Sequence, residues 1–162
     1  MTRIFLSSFV AMLLSSPVVA QTTAVYVVTS INQESLQTVE FVSLKRDGSK
    51  VRFWRFDVLA PNPKNLFQGN PFTETRSFHE IDCEKDTSRD VEVSFYNKDK
   101  IVKRVVMSSV QEHQIIPHTR ESQTAYWVCT RGDKGEMMAK ANAFESHAEM
   151  LKAYERFLSN NP

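Results

Sequence analysis

Apolar residues along much of the chain fall at every second position, and turn chemistry interrupts the pattern at short intervals. Ala24 to Ser30 (AVYVVTS) is β-branched and aromatic and reads as a strand. Val39 to Leu44 reads as the next. Lys45-Arg46-Asp47-Gly48-Ser49 supplies a turn, because glycine tolerates positive φ. Lys50 to Val58 returns with the strongest apolar content. Its Trp54, Phe56 and Val58 share one face, and Val51 and Phe53 lie on the other. Apolar residues on both faces predict a central strand with cover on each side.

Pro61, Pro63, Gly69 and Pro71 break the alternation between Leu59 and Phe72 and predict a long loop. Leu66 and Phe67 inside it are candidates for docking on the body or for contact with a partner. Thr73 to Cys83 alternates again, with Ser77, His79, Ile81 and Cys83 opposite Arg76, Phe78, Glu80 and Asp82. Glu84 to Asp90 reads as a charged connection. Val91 to Tyr96 has the cleanest half-buried pattern, Asn97 to Lys100 turns the chain, and Ile101 to Met107 returns. About six strands joined mainly by short turns predict an antiparallel sheet.

Beyond Pro117 the period changes. Thr119 is a candidate cap for a short helix ending at Cys129, with Glu121 favourable in its first turn. After a linker from Thr130 to Gly135, the residues Phe144, Ala148, Leu151, Tyr154 and Leu158 form an apolar stripe at helical spacing. Such a stripe must be covered. Packing on the sheet of its own chain is favoured over a second copy, because dimerisation costs translational freedom. The expected fold class is therefore α+β, and a monomer is slightly favoured.

The first residues change the picture. Met1-Thr2-Arg3, an apolar run from Ile4 to Leu14, and Val18-Val19-Ala20 before Gln21 have the form of a secretory signal peptide covering 1–20. The run is shorter than the roughly 20 residues a membrane span needs. No cysteine follows it, so neither a span nor a lipid anchor is expected. Export to the periplasm is the expected address, with the medium or cell surface as alternatives. The remainder divides into a β-rich domain, 21–130, and a linker with the C-terminal helix, 131–162.

That address bears on the two cysteines, Cys83 and Cys129. In an oxidising compartment they are expected to form one disulfide, which would stabilise the fold by about 4 kcal/mol through loop entropy. The chain carries 20 Lys+Arg and 19 Asp+Glu, and Arg3 falls in the signal segment. A net charge near zero argues against a nucleic-acid binder.

Candidate chemistry is sparse. His79, Glu80 and Asp82 are close in sequence, and His113 and His118 flank Pro117. A strand sets His79 opposite the two acids, so these read as unrelated surface or edge residues and no metal site is expected. No Gly-x-Ser-x-Gly elbow and no phosphate loop occurs. No cofactor and no enzymatic activity is expected. Arg131-Gly132-Asp133 is an integrin-type tripeptide in an expected linker, where a connector role is the commoner one for three residues.

One resemblance adds to this reading. Gly48 followed by Val51-Arg52-Phe53-Trp54, the strand from Ser77 to Asp82-Cys83, the hairpin at Tyr96, and Ile116-Pro117 leading to Val128-Cys129 together resemble the bacterial surface-adhesin protein E family. The resemblance spans roughly Val25 to Cys129. It implies a small exported domain with an antiparallel sheet, a helix and a disulfide, and a binding role toward host matrix proteins of the laminin and vitronectin type. The expected function is a non-enzymatic envelope protein with a binding or structural role. One alternative is a secreted or surface adhesin. Another is a periplasmic small-ligand carrier or envelope enzyme.

Overall fold

The computed structural model describes residues 25–106, 111–131 and 143–161. The expected signal peptide lies outside these residues, as does most of the linker after Cys129. The central strand β4 (Lys50–Leu59) pairs antiparallel with β2 (Ser35–Glu40) on one side and β7 (Glu74–Asp82) on the other. β1 (Tyr26–Ile31) and β11 (Ala143–Phe144) extend the sheet beyond β2. β8 (Thr87–Asn97) extends it beyond β7, and β8 carries β9 (Lys100–Val106) and β10 (His113–Gln114). β3 (Lys45–Asp47) also pairs with β4.

The sheet therefore has nine strands among the described residues, more than the sequence pattern predicts. The extra strands are short, two or three residues each, and give no period-2 signal of their own. Three boundaries also differ. The predicted strand from Val39 to Leu44 is cut at Glu40 by a 3-10 turn, Phe41–Ser43. Ser43 Oγ holds this turn by donating to the Glu40 carbonyl and accepting from the Trp54 amide at 2.8 Å. β8 begins at Thr87, inside the expected charged connection. A bulge opposite Phe78 and His79 turns Asp90 to the inner face and breaks the apolar–polar alternation there. The long loop contains a hairpin of its own, β5 (Leu66–Phe67) and β6 (Asn70–Pro71), closed by Gln68 and Gly69 at φ 50° and 81°.

Both faces of β4 are covered, as its pattern predicts. On one face Val51 and Phe53 join Val27, Val39 and Ile81 beneath the helix α1 (Arg120–Arg131), which contributes Ala125, Trp127 and Val128. Thr119 Oγ1 accepts from the Ser122 amide at 3.2 Å, so the expected cap is formed. Cys129 bonds Cys83 at a Cα separation of 5.7 Å, fastening the last turn of α1 to the end of β7. On the other face Phe56 and Val58 join Tyr26 and Leu36 beneath the helix α2 (His147–Asn160), which contributes Met150 and Tyr154.

The apolar stripe of α2 differs in detail from the expected one. Ala148 is exposed, and Phe144 belongs to β11 rather than to the helix. The buried face is Met150 and Tyr154, with Leu151, Phe157 and Leu158 packed beside them. Ser146 caps the helix by accepting from the Glu149 amide, and this start point sets the phase.

Candidate functional site

Each helix covers part of one sheet face: α1 covers a polar stretch, and α2 leaves an open groove beside it. Beneath the first half of α1 the sheet is polar. Arg55, on the same face as Phe53, places Nε 3.1 Å from Asp57 and Nη2 3.7 Å from Asp90. His79, only 1% exposed, donates from Nδ1 to Asp90 Oδ1 at 2.8 Å. On its other side His79 Nε2 lies 3.6 Å from Glu121 Oε1, an ion-pair distance beyond hydrogen-bond range. Glu121 also accepts from Ser88 at 2.5 Å and faces His113 Nε2 at 3.1 Å. Gln37 and Thr124 complete the cluster through a 2.8 Å hydrogen bond.

The nearby His79 ring leads the influences that hold the Glu121 carboxyl at about 2, with Ser88 and His113 adding to it against the opposing effect of burial. For Asp90, burial pushes the carboxyl up, and the His79 bond with the Arg55 charge outweighs it, so the group stays below its ordinary value. The cluster is a polar seam between sheet and helix in which His79 Nε2 has Glu121 at ion-pair distance and no hydrogen-bond partner. Among the described residues no group of three or more His, Cys, Asp or Glu is arranged to hold a metal ion.

The expectation for the histidine and acid stretch thus needs correction. His79, Glu80 and Asp82 are 1%, 3% and 3% exposed, so they are not surface residues. His79 is buried beneath α1, whereas Glu80 is enclosed by the cationic side chains around it and Asp82 by the turn that follows it. Glu80 is neutralised by Arg52 at 2.5 Å, Arg89 at 2.7 Å and Lys50 at 3.2 Å. Asp82 accepts from the Glu84 and Lys85 amides in the turn that follows it. His113 joins the seam, whereas His118 lines a groove beside the disulfide.

On the opposite face α2 covers the β1–β2–β4 half, and no residue of α2 lines the surface beyond it. There Trp54, Phe56, Arg76, Tyr96, Ile101 and Arg104 border an open groove of about 380 Å³. The Arg76 guanidinium lies over Tyr96 at 4.1 Å and near Phe56 at 5.4 Å, and its Nε reaches Glu74 at 2.5 Å. Glu74 is fixed from the other side by His147 at 2.8 Å, which ties the N-terminus of α2 to the groove's edge. Arg104 reaches Glu92 at 2.6 Å across the β8–β9 ladder. Aromatic planes and guanidinium groups held on strands, with little need to reorganise, are a surface suited to protein contact.

The two loop candidates separate. Phe67 stacks on Phe95 at a centroid distance of 4.1 Å, with Phe72 edge-on to the same ring, so it pins the loop. Leu66 is 52% exposed at the hairpin. Arg131 is the last residue of α1, and Gly132 and Asp133 lie outside the described residues. Sequence reading missed the groove and the seam. The signal for the seam was Arg55 and Asp57 on the inward row of the most apolar strand. The groove unites β4, β7, β8 and β9, and only the register brings those strands together.

The fold defines an antiparallel-sheet domain with a disulfide-fastened helix and open grooves on its surface. Residues 26–130 match the family model of surface-adhesin protein E, and the chain belongs to that family. Three solved structures of Haemophilus influenzae protein E are similar to it. Crystal form II is 18% identical, covering 76% of this chain and 99% of that one, with a TM-score of 0.46. A second is 17% identical over 75% and 95%, with a TM-score of 0.44. The protein from a non-typeable isolate is 14% identical over 87% and 93%, with a TM-score of 0.45. A comparison with curated protein sequences found no match. No helix among the described residues is long and apolar enough to cross a membrane.

Proposed function

We propose that this protein is an exported, non-enzymatic adhesin that binds host matrix proteins at the cell surface, through the half of the sheet face that α2 leaves open. Membership of the surface-adhesin protein E family carries the reading. The groove beside Tyr96 and Arg76 supports it, since it is open and aromatic, carries arginines paired with Glu74 and Glu92, and borders exposed Ile101. Leu66, exposed at the loop hairpin, is a second contact assigned to the partner. The test is solid-phase binding of the chain from Gln21 onward to immobilised laminin and vitronectin, with antibody labelling of intact cells. Saturable binding and labelling without permeabilisation are expected. Labelling only after the outer membrane is opened would place the protein in the periplasm and overturn the surface reading.

A further inference from the structure

β9 pairs with β8 on one side, and among the described residues no strand pairs with its other side. Such an edge carries a row of backbone N–H and C=O groups that a further strand can complete. The register sets Ile101, Arg104 and Val106 opposite Tyr96, Ser94 and Glu92, on the face of the groove. Ile101 is 56% and Val106 64% exposed. Lys103 pairs with Phe95 on the opposite face, and Lys100 stands at the turn. Both lysines are exposed and have no ionic partner among the described residues. The acids near this strand are Glu92, already paired with Arg104, Asp99 in the turn, and Glu40 in the lining of the same groove.

The charge on this strand selects among partners. A second copy of β9 would bring lysine and arginine against lysine and arginine, which cross-strand pairing disfavours. A strand carrying carboxylates meets the opposite condition. Exposed aliphatic side chains on the groove face give such a strand an apolar surface to cover.

We propose that β9 is a strand-addition site for an extended acidic segment of a partner protein, with aliphatic side chains beside Ile101 and Val106 and carboxylates beside Lys100 and Lys103. The inference rests on the adhesive reading and names the chemistry of its partner.

The test is calorimetric titration of the chain from Gln21 onward with a short synthetic peptide alternating glutamate and valine, and backbone amide shifts followed by NMR. Two control peptides are needed: one N-methylated at alternate amides, the other with lysine for glutamate. Binding of the unmodified acidic peptide alone is expected, with shifts centred on β9. The double variant Lys100→Glu, Lys103→Glu, checked for folding by circular dichroism, should bind it about tenfold or more weakly. The same variant should gain affinity for the lysine peptide. Equal binding of the N-methylated peptide, shifts away from β9, or no binding of the acidic peptide would overturn the proposal. So would matrix-protein binding by the double variant at wild-type strength, which leaves the adhesive reading standing. Peptide binding at β9 in a protein that binds no matrix protein would uphold the strand-addition site and overturn the adhesive reading alone.

Discussion

His79 Nδ1 donates a 2.8 Å hydrogen bond to Asp90 while the opposite ring nitrogen faces Glu121 of α1, so one buried imidazole joins sheet to helix. Glu121, held at about 2 in the fold, has an ordinary value of 4.5. A carboxyl depressed in this way contributes stability that is complete above its unfolded value and is lost as pH falls toward the folded one. The contribution is at most about 3.5 kcal/mol, at about 1.4 kcal/mol per unit. Urea unfolding between pH 5 and pH 2 should therefore show falling stability with acid, and Glu121→Gln should flatten that fall. An unchanged slope in the variant would detach Glu121 from the acid response.

The Cys83–Cys129 bond holds the last turn of α1 on β7. Thiol titration of the denatured protein is expected to find no free thiol. Cys129→Ser should lower stability by about 2–5 kcal/mol, the usual cost in a small secreted domain. Two titratable thiols in envelope-purified protein would contradict the bond.

Neighbouring aromatics on β4 should respond differently. Phe53 is fully buried under α1, and Phe53→Ala should cost about 3–5 kcal/mol by leaving a cavity. Trp54 is only partly buried and borders the open groove. Trp54→Ala should cost less than about 2 kcal/mol, because the space it leaves is open to water. Equal losses in denaturant unfolding would mean that the groove is closed in solution.

Met150 is completely buried on α2, with Thr38 Oγ1 3.2 Å from its sulfur, and the Tyr154 hydroxyl donates to the Asn32 carbonyl. Met150→Ala should destabilise the chain by about 2–5 kcal/mol. Its unfolding midpoint, and that of the wild type, should not change with protein concentration, because the helix covers its own sheet. A wild-type midpoint that rises with concentration and loses that dependence in Met150→Ala would assign the helix to a dimer.

Much of the fold was legible in sequence because strands with one dry face repeat every second residue. The Asp-Gly turn, the central position of Lys50 to Val58 and the Thr119 cap rest on local chemistry that survives in the structure, and the cysteine pairing rests on the expected compartment. The β8 start was not legible. Asp90 and Ser88 are polar yet face inward, and a bulge shifts their phase, so burial there follows ion pairing rather than hydropathy. In α2 Leu151, Tyr154 and Leu158 face the core as the stripe predicts, whereas Ala148 does not and Phe144 packs on the same cluster from β11. The groove was invisible for a different reason. Trp54, Arg76, Tyr96 and Arg104 sit on four strands, and their proximity depends on which strands pair.

The central claim is that the open half of the sheet face receives a host matrix protein. The most direct test is a saturation isotherm on immobilised laminin and vitronectin for the wild type and for Tyr96→Ser, Ile101→Ser, whose side chains border the groove at β8 and β9. The account predicts saturable wild-type binding and a loss of about tenfold or more in the variant, since central aromatic contacts carry most interface energy. Absence of saturable binding by the wild type, or undiminished binding by a folded variant, would contradict it.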